Sequence, residues 1–145
     1  MIIMSNLPTR DEAWNILTKY VTTDHLQRHV LMVEGTMRHF ARLFNEDEEY
    51  WGILGMLHDI DFELYPEEHL NHAPRILREE GFDDEFIHSV LSHGYGICSD
   101  TEPVTNAEKV LFTIDELDRA CICLCINAAF KERYGSGAEI RQKEV

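Results

Sequence analysis

Apolar residues recur at steps of three and four along almost the whole chain, and no stretch alternates apolar and polar positions as a half-buried strand would. RDEAWNILTKYV (10–21) predicts a first helix with Trp14, Leu17 and Val21 on its buried side. Thr23 or Asp24 can cap a long second helix, HLQRHVLMVEGTMRHFARLF (25–44). Its apolar stripe is Leu26, Val30, Val33, Met37, Phe40 and Phe44. A third helix follows the acidic NEDEEY and runs through Tyr50, Trp51, Leu54 and Leu57 to His58. Pro66 interrupts the next stretch, after which Asn71 or His72 starts a short helix that tolerates Pro74 and stops at Gly81. Asp83 caps DEFIHSVLSHG, whose apolar face is Phe86, Ile87, Val90 and Leu91. Thr105 and Glu108 form a capping box for the last long helix, NAEKVLFTIDELDRACICLCINAAF. The pattern predicts an all-α, compact single-domain bundle of about six or seven helices spanning 1–145, with the tail 131–145 flexible.

Several polar residues break this pattern. His29 lies three residues after Leu26 and four before Val33, which places it in the apolar stripe. His58 follows Leu54 by four and is drawn inward, with Asp59 next at the helix end. Asp115 follows Leu111 by four and Ile114 by one, bordering the buried side of the last helix. Two imidazoles and two carboxylates thus converge from separate elements. Singly, His29 fits a core histidine bonded to a carbonyl, Asp115 a surface partner of Arg119, and Asp59 a turn cap. Together those readings need three coincidences, whereas one metal ion accounts for all four residues and removes the cost of burying carboxylates. Imidazole nitrogen with carboxylate oxygen suits Mn, Fe, Co, Ni or Zn. His39 falls on the solvent side beside Arg38 and Arg42, and His25, His72 and His88 are expected to serve as surface or helix-end residues.

Composition narrows the partners. With 145 residues, 13 basic and 27 acidic, the formal charge is −14. That excess disfavours a nucleic-acid polymer, which is bound through Lys and Arg displacing counterions, and equally an anionic membrane surface. A small anionic substrate remains compatible if a local cation offsets the repulsion. MIIMSNLPTR lacks the basic and long apolar regions of a secretory signal, and no segment reaches the roughly 20 apolar residues of a membrane span. Cys98, Cys121, Cys123 and Cys125 fit small buried hydrophobes in a reducing, cytoplasmic setting, since an i, i+2, i+4 run cannot close a tetrahedral thiolate site on one helix. The apolar run 121–130 suits an interface between copies as well as it suits core.

The ordered set His29, His58–Asp59 and Asp115, together with WGILGMLHDIDFELYPEEH, RILREEGF, VLSHGYG and LFTIDEL, resembles the HD domain, a superfamily of metal-dependent phosphohydrolases. The similarity covers about residues 18–120, and these segments resemble the small single-domain bacterial and archaeal HD proteins. It implies that His29, His58, Asp59 and Asp115 hold one divalent metal. It leaves the count at one or two ions: if His69 in PEEH and His93 in LSH reach the site, they complete a second, with Asp59 bridging the two. The resemblance implies metal-assisted hydrolysis of a small phosphorylated metabolite or nucleotide. Asp61 or Glu63 is then the candidate proton donor to the leaving oxygen, Arg28, Lys109 and Arg119 are candidate phosphate-facing cations, and Asp118 is placed to orient a ligand or a water.

The chain also departs from relatives. HDIDFELYP has neither the Lys after HD nor the GYP signature of the cyclic-dinucleotide subgroup, and Phe62 stands where some nucleotidases carry a catalytic Glu. Two other readings stay open: a di-iron oxygenase on the HD fold, and a non-catalytic nucleotide-sensing or interaction module.

Overall fold

The computed structural model describes residues 7–117. Among these residues the fold is helical, with six α-helices, one 3-10 turn and a single isolated bridge between Tyr95 and Ser99. The helices are α1 (Arg10–Tyr20), α2 (Asp24–Phe44), α3 (Glu48–Leu57), α4 (Ala73–Glu79), α5 (Asp84–Ser92) and α6 (106–117); the 3-10 turn is Pro66–Glu68. No helix among the described residues is long and apolar enough to cross a membrane.

Local chemistry sets most of the boundaries. Asp83 accepts from Phe86 N to start α5, and Thr105 and Glu108 exchange bonds to start α6. Thr9 and Glu12 form a second capping box at the start of α1. Beyond α4 the chain turns at Gly81, with φ +91°, a left-handed conformation that costs glycine little. Thr23 is the N-cap residue of α2, but its side chain caps nothing. Glu63, distant in sequence, accepts from Thr22 N and Thr23 N and fixes the chain just ahead of the helix.

The broadest packing is α2 against α3. Val30, Val33, Met37 and Ala41 of α2 and Ile53, Leu54, Met56 and Leu57 of α3 are buried in one core with Leu17, Ile76, Phe86 and Leu111. Two expectations about the α2 stripe need correction. Phe44 is 48% exposed, because the helix ends at Asn45 and its ring rests on Trp51 at the rim. Glu34 is buried instead, its charge matched by Arg10 of α1 and by Arg38, which also reaches Glu49 of α3. Leu26 and Phe40 are only half-buried against the core.

The helices approach closely at Gly55. A Cβ there would lie 3.0 Å from Met37 Cγ, 3.1 Å from Val33 O and 3.2 Å from Glu34 Cα. Backbone cannot yield as a flexible side chain can. Gly55→Ala is therefore expected to lower stability by about 1–3 kcal/mol, read as a fall in the melting temperature; an unchanged melting temperature would show that α2 and α3 can separate at no cost.

Candidate metal centre

Three of the site histidines stand where a helical segment ends. His58 is the C-cap of α3, His93 the C-cap of α5, and His69 follows the 3-10 turn. The last carbonyls of a helix have no partner within it. Here two such carbonyls are used: His58 Nδ1 donates to Gly55 O at 2.6 Å, and His93 Nδ1 donates to Val90 O, each three residues back. A carbonyl only accepts, so Nδ1 carries a proton in both rings and Nε2 is the nitrogen turned toward the cluster. His69 Nδ1 faces Asp61 Oδ1 at 2.8 Å, which gives its ring the same polarity.

These nitrogens meet at Asp59, which α3 delivers one residue past its end. Asp59 Oδ2 lies 3.1 Å from His58 Nε2 and 3.2 Å from His29 Nε2. Asp115 Oδ1, brought by α6, is 3.5 Å from His58 Nε2 and 3.6 Å from His29 Nε2, and the two imidazole nitrogens are 3.2 Å apart. Asp59 Oδ1 lies on the other side, 3.2 Å from His69 Nε2 and 3.3 Å from His93 Nε2, which are themselves 3.2 Å apart. The cluster is thus two donor sets sharing one carboxylate: His29, His58, Asp59 and Asp115, then Asp59, His69 and His93. Five of the six residues are buried, and His29 is the most accessible at 14% of its side chain.

Donors bound about 2.1 Å from one ion sit roughly 3.0–3.4 Å from one another. The separations in both sets lie in or near that range. Asp59 Oδ1 is buried and makes no hydrogen bond, although two ring nitrogens lie beside it. Nitrogen and oxygen donors converging on one point around a buried, unsatisfied oxygen are what a bound cation satisfies. The donor set suits a divalent transition metal.

The electrostatics agree. Burial would lower the His29 pKa, but the carboxylates of Asp115 and Asp59 overrule it and hold it at about 9. His69 is likewise held at about 9, with Asp59 and Asp61 prevailing over burial. His58, fully buried, is pushed upward by Asp59 and Asp115 against the same desolvation. Burial would raise Asp59, yet the His58 charge and the neighbouring His29 and His69 rings hold it well below the usual carboxylate range. Asp115 is lowered against burial by His29 and His58. Without a cation the cluster therefore holds protons in its place.

The remaining expected site residues stand outside the two donor sets. Asp61 is fully buried and gives its two oxygens to His69 Nδ1 and Ala73 N, so it is not placed as a proton donor to a leaving group. Glu63 is committed to the start of α2 through Thr22 and Thr23, which removes it from that role as well. Arg28 is 79% exposed and pairs with Asp24, away from the expected phosphate contact. Lys109 is exposed on α6, six residues before Asp115. Arg119, Asp118, Cys121, Cys123, Cys125, the 121–130 run and the tail 131–145 lie outside the described residues.

The other histidines stay out of the cluster. His25 and His39 are exposed, His72 stacks on Tyr65 and pairs with Glu68, and His88 is half-exposed against the buried Glu108. Cys98 is half-buried against the core.

The pKa directions fix the sign of two pH effects. In the cation-free protein, raised His29 and His69 contribute stability that is full below their ordinary value near 6.5 and lost as pH rises through about 9. Lowered Asp59 and Asp115 contribute stability above their ordinary value near 3.8, lost as pH falls below it. Because His29 and His69 carry protons at pH 7, binding Mn(II) or Zn(II) should release protons, and affinity should rise from pH 7 to about 9. Calorimetric titration in buffers of different ionisation enthalpy checks this; binding without proton release would show that the metal goes elsewhere.

Residues 26–120 match the HD domain family. No curated protein and no solved structure gives a match to the chain. The matched span is well over half of the 145 residues and contains every member of the cluster. With His29, the His58–Asp59 pair and Asp115 drawn in sequence order from α2, α3 and α6 to one point inside that span, the chain belongs to the HD domain family.

Proposed function

We propose that this HD domain is a metal-dependent phosphohydrolase acting on a small phosphorylated metabolite or a nucleotide. The observation that carries this reading is the division of the Asp59 carboxylate, with Oδ2 facing His29 and His58 and Oδ1 facing His69 and His93. One carboxylate with a separate donor set on each oxygen is suited to bridging two cations.

His29, His58, Asp59 and Asp115 would hold one ion, and Asp59, His69 and His93 the other. Divalent ions held there would supply Lewis acidity, acidifying water toward neutral pH and offsetting negative charge on a phosphoryl group. The chain's own part is orientation and exclusion. The Gly55 and Val90 carbonyls keep the His58 and His93 rings turned inward in one tautomer. Burial of His58, Asp59, His93 and Asp115 keeps bulk water from competing for the donor atoms. His29, partly open, marks the side from which a substrate would approach. The sets are unequal, four donors against three, so the second leaves more positions to water or to substrate.

A protein bearing −14 must attract an anionic phosphate by local positive charge. Arg28 is turned to Asp24 and Lys109 is exposed on α6, so bound ions would themselves supply positive charge beside the phosphate.

The test is metal analysis of protein purified without a metal-binding tag, followed by phosphate release from nucleotides and phosphorylated metabolites with Mn(II) or Co(II). About two equivalents of metal per chain are expected, with phosphate release that falls by at least about 100-fold in Asp59→Ala. Nucleotide binding that raises the melting temperature without turnover would replace this reading by a sensing module. Iron-dependent oxygen consumption without phosphate release would replace it by an oxygenase.

A further inference from the structure

His69 differs from its neighbours in how its ring is held. His58 and His93 each close a helix and bond the carbonyl three residues back. His69 follows only the 3-10 turn Pro66–Glu68, and its Nδ1 is bonded instead by a carboxylate, Asp61 Oδ1, at 2.8 Å. Asp59 stands on the opposite side of the ring, its Oδ1 3.2 Å from Nε2. The imidazole is thus held between two carboxylates two residues apart in sequence.

The surrounding backbone shows why a clamp is needed. Leu70, the next residue, has φ +69°, a left-handed conformation that side-chain-bearing residues rarely adopt. Its side chain is seated over Gly94, where a Cβ would come within 2.4 Å of Leu70 Cδ1, so the residues following His69 and His93 pack directly together. Asp61 Oδ2 meanwhile accepts from Ala73 N at 3.1 Å, at the start of α4. One buried carboxylate therefore ties both ends of the segment 69–73 while its backbone is held in that conformation.

We propose that Asp61 is a positioning residue acting through His69, and that it decides whether the Asp59–His69–His93 half of the cluster can hold a cation. The inference rests on the two-cation reading above but not on the phosphate reaction. A carboxylate bonded to Nδ1–H orients the ring and makes Nε2 a stronger donor to a metal. The other donor set needs no such device, since His58 is fixed by Gly55 O.

Asp61→Asn is the discriminating change. A side-chain amide accepts at one atom and donates at the other, so either His69 Nδ1–H or Ala73 N–H must face an NH2 group. Equilibrium dialysis with Mn(II), with electron paramagnetic resonance to separate coupled pairs from single ions, reads both sites without any substrate. The wild type is expected to bind two ions. Asp61→Asn is expected to keep the first and to bind the second about 10–100-fold more weakly. His69→Ala should lose the second ion and keep the first, and adding Asp61→Asn to His69→Ala should leave the first-ion affinity unchanged if Asp61 acts through that ring.

Unchanged second-ion affinity in Asp61→Asn, or a first ion bound more weakly in the double variant than in His69→Ala, overturns the proposal while leaving the two-cation reading intact. A wild type that binds a single ion overturns both. A measurement on the unsubstituted protein needs no variant to fold: with Zn(II) bound, long-range proton–nitrogen spectra should show the His69 proton on Nδ1, and a proton on Nε2 would overturn the assignment.

Discussion

Everything at the centre of this molecule depends on one buried carboxylate shared by four imidazoles. Asp59 is lodged past the end of α3, and each of its oxygens faces a different pair of ring nitrogens. A carboxylate removed from water is costly unless positive charge lies close by. Protons on the histidines can supply that charge, which is why His29 and His69 sit at about 9 and Asp59 is forced down. Divalent cations supply it more completely, because each converging lone pair then has its own partner. The same six residues therefore make a polar core when protonated and, when deprotonated, present the donor atoms that a metal ion would need.

The architecture delivers these groups by ending helices at the right point. α3 and α5 stop at His58 and His93, and in each the freed carbonyl three residues back captures Nδ1. A problem common to every helix end thereby becomes a device for setting tautomer and direction. α2 and α6 contribute His29 and Asp115 from within their length, so their placement depends on how these helices pack. The close approach of α2 and α3 at Gly55 matters twice, since the residue that permits the packing also supplies the carbonyl that fixes His58. Glu63 and Asp61, from the turn after Asp59, reach outward to brace the starts of α2 and α4.

The helices were legible because their signals are local. Thr105 with Glu108, Asp83, and Gly81 each mark a boundary through bonds or dihedrals spanning a few residues. His29 and Asp115 could be placed by periodicity, as polar residues on apolar faces. His69 and His93 could not, because they stand where helical periodicity stops; only the likeness to HD proteins singled them out. Asp61 and Glu63 read in sequence as acids near the chemistry, but the partners of Asp61 lie eight and twelve residues away and those of Glu63 about forty, and no local pattern reveals such bonds. The burial of Glu34 was hidden in the same way, since Arg10 comes to it from another helix. Thr9 and Glu12 did carry a local signal, the same capping-box spacing that marks α6.

The most direct measurement of the central claim is anomalous diffraction at the manganese edge from crystals grown with Mn(II). The account predicts two peaks about 3.5–4 Å apart, one beside each oxygen of Asp59, flanked by His29, His58 and Asp115 on one side and by His69 and His93 on the other. A single peak, or none within reach of Asp59, would contradict it and leave the cluster as a protonated polar core.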